Sequence, residues 1–281
     1  MSPFPSSQHP RNTQILHLNI SAKQLPRPVL AATKTVLHKL LGFRRFNAIY
    51  SGLPECAAAD FSRTVLDAMH VRIEATGRPI DTIPQTGPLI VIANHPFGLI
   101  EAAALEIILL KRRPQIAVMT NKMLAQVPEL HSRCIFVDPR NKRRNRRLNV
   151  QAWRRSFRWL AQGGALALFP AGRVARFQWS RMGVADVPWS SHIGALARRS
   201  NAPVLPLYFH GHNGSAFQLM SALCPPLQDF LLVNEFNNKR DSTMRVSLGR
   251  IITSYEISCL ADDTKVTELL RDETDKLAAS R

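Results

Sequence analysis

Six consecutive residues, Pro88-Leu89-Ile90-Val91-Ile92-Ala93, carry no polar side chain, and Asn94-His95-Pro96 ends the run. A strand with one wet face alternates apolar and polar residues. A strand apolar on both sides of its pleat has to be covered on both faces. Helices above and below a largely parallel sheet provide that cover, so this one segment points to an α/β chain. The remaining pattern agrees. The spacing predicts strands over 71–75, 88–93, 115–119, 134–137, 165–169, 203–209 and 245–248. It predicts helices over 60–70, 99–110, 145–161, 189–199 and 265–279, with Asp60 as the N-cap of the first. Residues 26–281 read as one domain, opened by an amphipathic helical segment over about 28–70 that includes a basic helix at 28–43. Residues 1–25 are polar and rich in Pro and Ser, and read as a tail without the apolar core of a secretory signal.

Charge narrows the partners. The 281 residues hold 37 Lys and Arg against 20 Asp and Glu, a net charge of +17. Such a balance favours acidic lipid, nucleic acid or a phosphorylated substrate. Residues 140–158 concentrate it, as RNKRRNRRLNVQAWRRSFR with no acid. Val150, Trp153, Phe157 and Leu160 recur at helical spacing, so one face is expected to pack and the other to be cationic. A solvated helix face, a nucleic-acid patch and a site for anionic lipid or phosphate all fit this pattern. No zinc finger or other nucleic-acid motif accompanies the charges. The longest apolar candidate, 99–110, is interrupted by Glu101 and Glu106, and no run reaches the roughly 18 residues of a spanning helix. Four scattered cysteines without a C-x-x-C pair read as reduced thiols.

The segment with chemistry is Asn94-His95-Pro96-Phe97-Gly98-Leu99-Ile100-Glu101. It leaves the buried strand and opens a helix, and the carboxyl ends of strands are where open α/β sheets build their sites. Pro96 biases His95 to an extended backbone. Gly98 permits a tight turn and close approach. Glu101 falls in the first helical turn, within reach of His95, where a carboxylate would fix the tautomer of a general base or simply satisfy a structural histidine. The chain lacks a G-x-S-x-G elbow, a phosphate-binding P-loop and a G-x-G-x-x-G fingerprint. His210 and His212 alone make a weak case for a metal.

Four motifs in order resemble those of the glycerolipid acyltransferases, the lysophosphatidate and glycerol-3-phosphate acyltransferase group. They are Asn94–Glu101, then Ile135-Phe136-Val137-Asp138-Pro139-Arg140, then Phe169-Pro170-Ala171-Gly172-Arg173, then Pro203-Val204-Leu205-Pro206-Leu207. The HPFG and FPAG wording is most similar to a bacterial, hemolysin-like branch that includes ornithine-lipid acyltransferases. The resemblance spans about residues 70–250 and implies a mostly parallel sheet flanked by helices. It implies transfer of a fatty acyl group from acyl-CoA or acyl carrier protein to a lysolipid hydroxyl, with His95 as base and Glu101 as its partner. Asn94, Phe97, Gly98, Arg140, Phe169, Pro170, Gly172, Arg173 and Pro206 become candidate substrate contacts. Arg140 and Arg173 would hold an anionic head group, Pro206 would shape a pocket wall, and N–H groups near Gly98 or Gly172 would serve the oxyanion. No cofactor or metal is implied.

The expected setting is peripheral, on an acidic membrane surface at the inner face of the cytoplasmic membrane, with no nucleic-acid partner. Two departures stand out. The acid of the first motif is Glu and sits one residue late, and Ala171 replaces the usual Glu that the family associates with a glycerol phosphate acceptor. A lipid-binding homologue without turnover, and a basic nucleic-acid-binding protein, are the competing readings.

Overall fold

The computed structural model describes residues 42–138, 145–223 and 228–279. The tail over 1–25 and nearly all of the expected 28–43 helix lie outside them, as does Arg140. The described chain opens with α1 (Phe43–Ser51) and α2 (Phe61–Ala68), followed by β1 (Arg72–Gly77) and β2 (Leu89–Ala93). Next come α3 (Ile100–Leu110), β3 (Ile116–Asn121), β4 (Cys134–Val137), the basic helix α4 (Arg146–Ala161) and β5 (Ala165–Leu168). A hairpin of β6 (Arg176–Gln178) and β7 (Gly183–Ala185) follows, then α5 (His192–Ser200) and β8 (Val204–Phe209). The chain ends with α6 (Ser215–Leu223), α7 (Gln228–Asn238), β9 (Thr243–Leu248), α8 (Ser254–Ser258) and α9 (Asp263–Lys276).

Seven strands form one sheet in the order β1-β9-β8-β2-β5-β3-β4. Every neighbouring pair is parallel except β8 with β9. The apolar run forms β2, which lies at the centre between β8 and β5, and all five of its residues are buried. Its side chains divide by the strand period. Leu89, Val91 and Ala93 join a core under α1, α2, α3 and α7, with Phe46, Leu66, Leu105 and Phe236. Ile90 and Ile92 join a second core under α4, α5, α8 and α9, with Leu160, Leu196, Ile257 and Leu270. The sheet is therefore covered on both faces, as the apolar run demands.

Two expectations are corrected. Asp60 precedes α2, but its side chain caps nothing, and its carbonyl instead receives the N–H and the hydroxyl of Thr64. In α4, Leu160 lies in the second core and Trp153 and Phe157 pack against it as the spacing predicts, beside buried Ala152 and Ser156, whereas Val150 is 41% exposed. Pro206, expected to shape a pocket wall, lies within β8. It pairs with Ile92 in mid-strand, lies on the second-core face and closes on Gly249, whose N–H its carbonyl accepts at 2.9 Å.

Candidate active site

The carboxyl end of β2 places His95 at the tip of the central strand. Its backbone is held on both sides: its carbonyl accepts from Ala175 N–H at 2.8 Å, and its N–H donates to Asp186 Oδ1 at 3.1 Å. Asn94 holds the same strand end to β8 through two bonds with the Phe209 backbone, Nδ2 to O at 2.9 Å and N–H to Oδ1 at 2.7 Å. Its amide thereby ties the motif to the neighbouring strand. The imidazole stacks on Phe169, with ring centroids 4.3 Å apart, so the third motif buttresses the first.

Glu101 reaches His95 fully. Its Oε1 lies 2.8 Å from Nδ1 and also accepts the N–H groups of Phe97 at 3.0 Å and Gly98 at 2.6 Å. Gly98 makes this geometry possible. Its φ of +111° turns both amides toward the carboxylate, and a Cβ there would lie 2.7 Å from Leu232 Cδ2. The later, longer acid is therefore accommodated within the turn itself. Burial alone would push the Glu101 carboxyl up, but the His95 ring and the Gly98 N–H hold it below its ordinary value. A carboxylate facing Nδ1 favours the tautomer that carries its proton there, with the lone pair on Nε2.

Asp186 was not legible as a site residue. Buried, it accepts His95 N–H on one oxygen and Trp189 Nε1–H at 3.0 Å on the other. Burial pushes its carboxyl up, and those bonds together with His95 and Arg271 pull it back only in part. Lys239 was also missed. Its amine sits 4.3 Å from the Phe97 ring centroid and donates to the His212 carbonyl at 3.4 Å. Burial lowers its pKa, while Glu235 and Glu101 oppose that shift.

The other candidates divide. Phe97 is buried beneath Lys239 and Gly211. Phe169 and Pro170 shape the turn beside His95, which closes with Gly172 N–H donating to the Phe169 carbonyl at 2.9 Å. The amides of Gly98 and Gly172 themselves are thus engaged and are not free oxyanion donors. Arg173 is exposed on the segment that leads into β6. His210 Nε2 meets Ser247 Oγ at 2.7 Å and His212 Nδ1 meets its neighbour's carbonyl at 2.9 Å. Among the described residues no three His, Cys, Asp or Glu side chains converge as metal ligands.

Beyond Leu99, the outward face of α3 borders an apolar cavity. Ala102 and Ala103 form one wall, with Phe46, Tyr50, Leu53, Val65, Leu124 and Phe236 around it. Glu106 is the one acid on its lining, with Oε2 accepting from Ser62 at 2.5 Å and Oε1 lying 3.4 Å from Arg133 Nε. Burial pushes this carboxyl up, more than the hydroxyl and the guanidinium pull it down.

A histidine held by a buried carboxylate thus stands at the tip of the central strand, near an apolar cavity. Residues 73–210 match the Acyltransferase family model, and the chain is similar to lysolipid O-acyltransferases. It is 23% identical over 242 residues to a lyso-glycine lipid O-acyltransferase of Phocaeicola vulgatus, covering 82% of this chain and 80% of that protein. It is 22% identical to the protein of that name from Bacteroides thetaiotaomicron, covering 82% of each. The fold is similar to the crystal structure of the 1-acyl-sn-glycerophosphate acyltransferase PlsC of Thermotoga maritima, with a TM-score of 0.50 and 16% identity over 91% of this chain and 85% of that one.

Proposed function

We propose that this chain moves a fatty acyl group from a thioester, carried by CoA or acyl carrier protein, to the hydroxyl of a lysolipid at a membrane surface. The observation that carries the reading is the His95–Glu101 pair, in which one buried carboxylate oxygen receives the imidazole and two turn amides together. His95 Nε2 takes the acceptor's proton as its oxygen attacks the thioester carbonyl, and Glu101 stabilises the imidazolium. The tetrahedral adduct collapses with breakage of the C–S bond, and the thiolate leaves and recovers the proton from the imidazolium. The balance closes without a cofactor. The cavity beside α3 suits the acyl chain, since its lining is almost wholly apolar and it begins at Leu99, next to Gly98.

Ala171 offers no acid where the family places one for glycerol phosphate, and it packs against the second core. With the names of the curated relatives, this favours a lyso-amino-acid lipid over a glycerol phosphate acceptor. Arg173, exposed at the end of the third motif, is a candidate for an anionic head group, with Arg140 as a second. The test is transfer from labelled acyl-CoA and acyl carrier protein to a lysolipid panel, with His95→Ala beside the wild type. Loss of about 10²- to 10⁴-fold at intact folding is expected. Equal rates in the two proteins would remove His95 from the chemistry.

A further inference from the structure

Seven large hydrophobic side chains are exposed among the described residues, and five of them gather on two adjoining elements. Trp179 (73% exposed) and Met182 (75%) occupy the tip of the β6–β7 hairpin. Leu219, Met220 and Leu223 lie at helical spacing on the outer side of α6, whose Phe217, Gln218 and Ser221 face inward. Gln218 joins the two elements, because its Oε1 accepts the Phe177 N–H at 2.9 Å. A patch this apolar is costly in water and marks a surface with a use.

Cations prevail around it, although Asp275 of α9 lies near Arg181. Arg173, Arg176 and Arg181 flank the hairpin, and α6 carries no charge. The only acid between Asp138 and Asp229 is Asp186, which is buried under His95. An exposed Trp with aliphatic neighbours and a cationic rim is the composition of an interfacial anchor.

Position completes the argument. Ala175, which precedes β6, donates to the His95 carbonyl, and Asp186, which follows β7, accepts the His95 N–H. Both legs of the hairpin are therefore rooted on the backbone of the base. A bilayer that received the tip would lie beside the site.

The geometry points to the β6–β7 hairpin tip and the outer face of α6 as the surface that docks this protein on an anionic lipid bilayer. The inference rests on the reading that the acceptor is a lipid. It places the contact on this surface, not on the expected 28–43 helix or the cationic face of α4. The experiment is sedimentation of the full chain with vesicles of phosphatidylglycerol and phosphatidylcholine, wild type beside the triple substitution Trp179→Ser, Met182→Ser, Leu223→Ser. All three side chains are exposed, so folding is checked by an unchanged melting temperature. The expected result is at least a tenfold loss of vesicle partitioning in the variant, and blue-shifted tryptophan emission with vesicles in the wild type only. Unchanged partitioning would overturn the proposal, as would binding that is lost on deleting residues 1–41 but kept in the triple variant. A wild-type dimer that the triple variant dissolves, with vesicle binding intact, would also overturn it and assign the patch to self-association. Partitioning is read without turnover, so failure of acyl transfer would sink the proposed reaction and leave this surface standing.

Discussion

At the scale of the residue, two buried carboxylates on α3 have opposite fates. Glu101 is ionised because three donors converge on one of its oxygens. Glu106 has one hydroxyl and a guanidinium at 3.4 Å, and burial wins. The sign of the linkage follows. Between the ordinary carboxylate value and its raised folded value, the native state holds a proton on Glu106 that the unfolded chain has released. Stability therefore falls as pH rises through that window, by up to about 1.4 kcal/mol per pH unit. Glu106→Gln removes the loss while keeping the shape. Its denaturant midpoint, measured from pH 5 to 8, should fall less with pH than that of the wild type, and parallel curves would show that Glu106 stays ionised. The His95–Glu101 pair was legible because both partners lie within one turn of chain. Asp186 was not, because it acts from 91 residues away on a backbone N–H, and such a role leaves no motif. Asn94 was legible as a residue of the motif but not in its role, since its bonds go to β8 across 115 residues.

At the scale of the element, the strongly patterned segments were readable within a residue or three. The central strand was expected over 88–93 and spans Leu89–Ala93, and the helix expected over 99–110 spans Ile100–Leu110. The β6–β7 hairpin was not, because three-residue strands carry no period. Nor were α6 and α7, since α6 turns apolar side chains outward as well as inward. The helix that can be tested most directly is α3. Its inner side packs Ala104, Leu105 and Ile108 into the first core, while Ala102 and Ala103 are only partly buried and face the cavity. Small residues there leave the space that the proposed acyl chain would occupy. Ala103→Phe would fill it at modest cost, because the new ring enters a cavity rather than packed core. Assayed with acyl thioesters of graded length, the variant should turn over short chains and lose long ones. An unchanged length profile would place the acyl chain elsewhere.

At the scale of the molecule, the charge is divided along the chain. Residues 139–228 are almost free of acid, whereas Glu256, Asp262, Asp263, Glu268, Asp272, Glu273 and Asp275 gather in the last thirty residues. Those acids are largely matched: Arg250 pairs with Glu256 at 2.6 Å and Glu273 at 3.1 Å, and Arg198 with Asp263 at 2.9 Å. The surplus of +17 therefore falls mostly on the basic middle of the chain. Two salt effects then compete. Exposed ion pairs weaken as salt rises, but each contributes only about 0–1 kcal/mol. Self-repulsion among unmatched charges is summed over many partners and is screened on the same scale, with a Debye length of about 10 Å at 0.1 M. Repulsion should win. The melting temperature should rise by about 2–4 °C between 20 and 200 mM sodium chloride, which corresponds to about 1 kcal/mol for a chain of this size. A fall over that range would mean that the matched pairs govern stability. The same unmatched charge is what an acidic bilayer would neutralise, so anionic vesicles at low salt should raise the melting temperature in the same direction, and neutral vesicles should not.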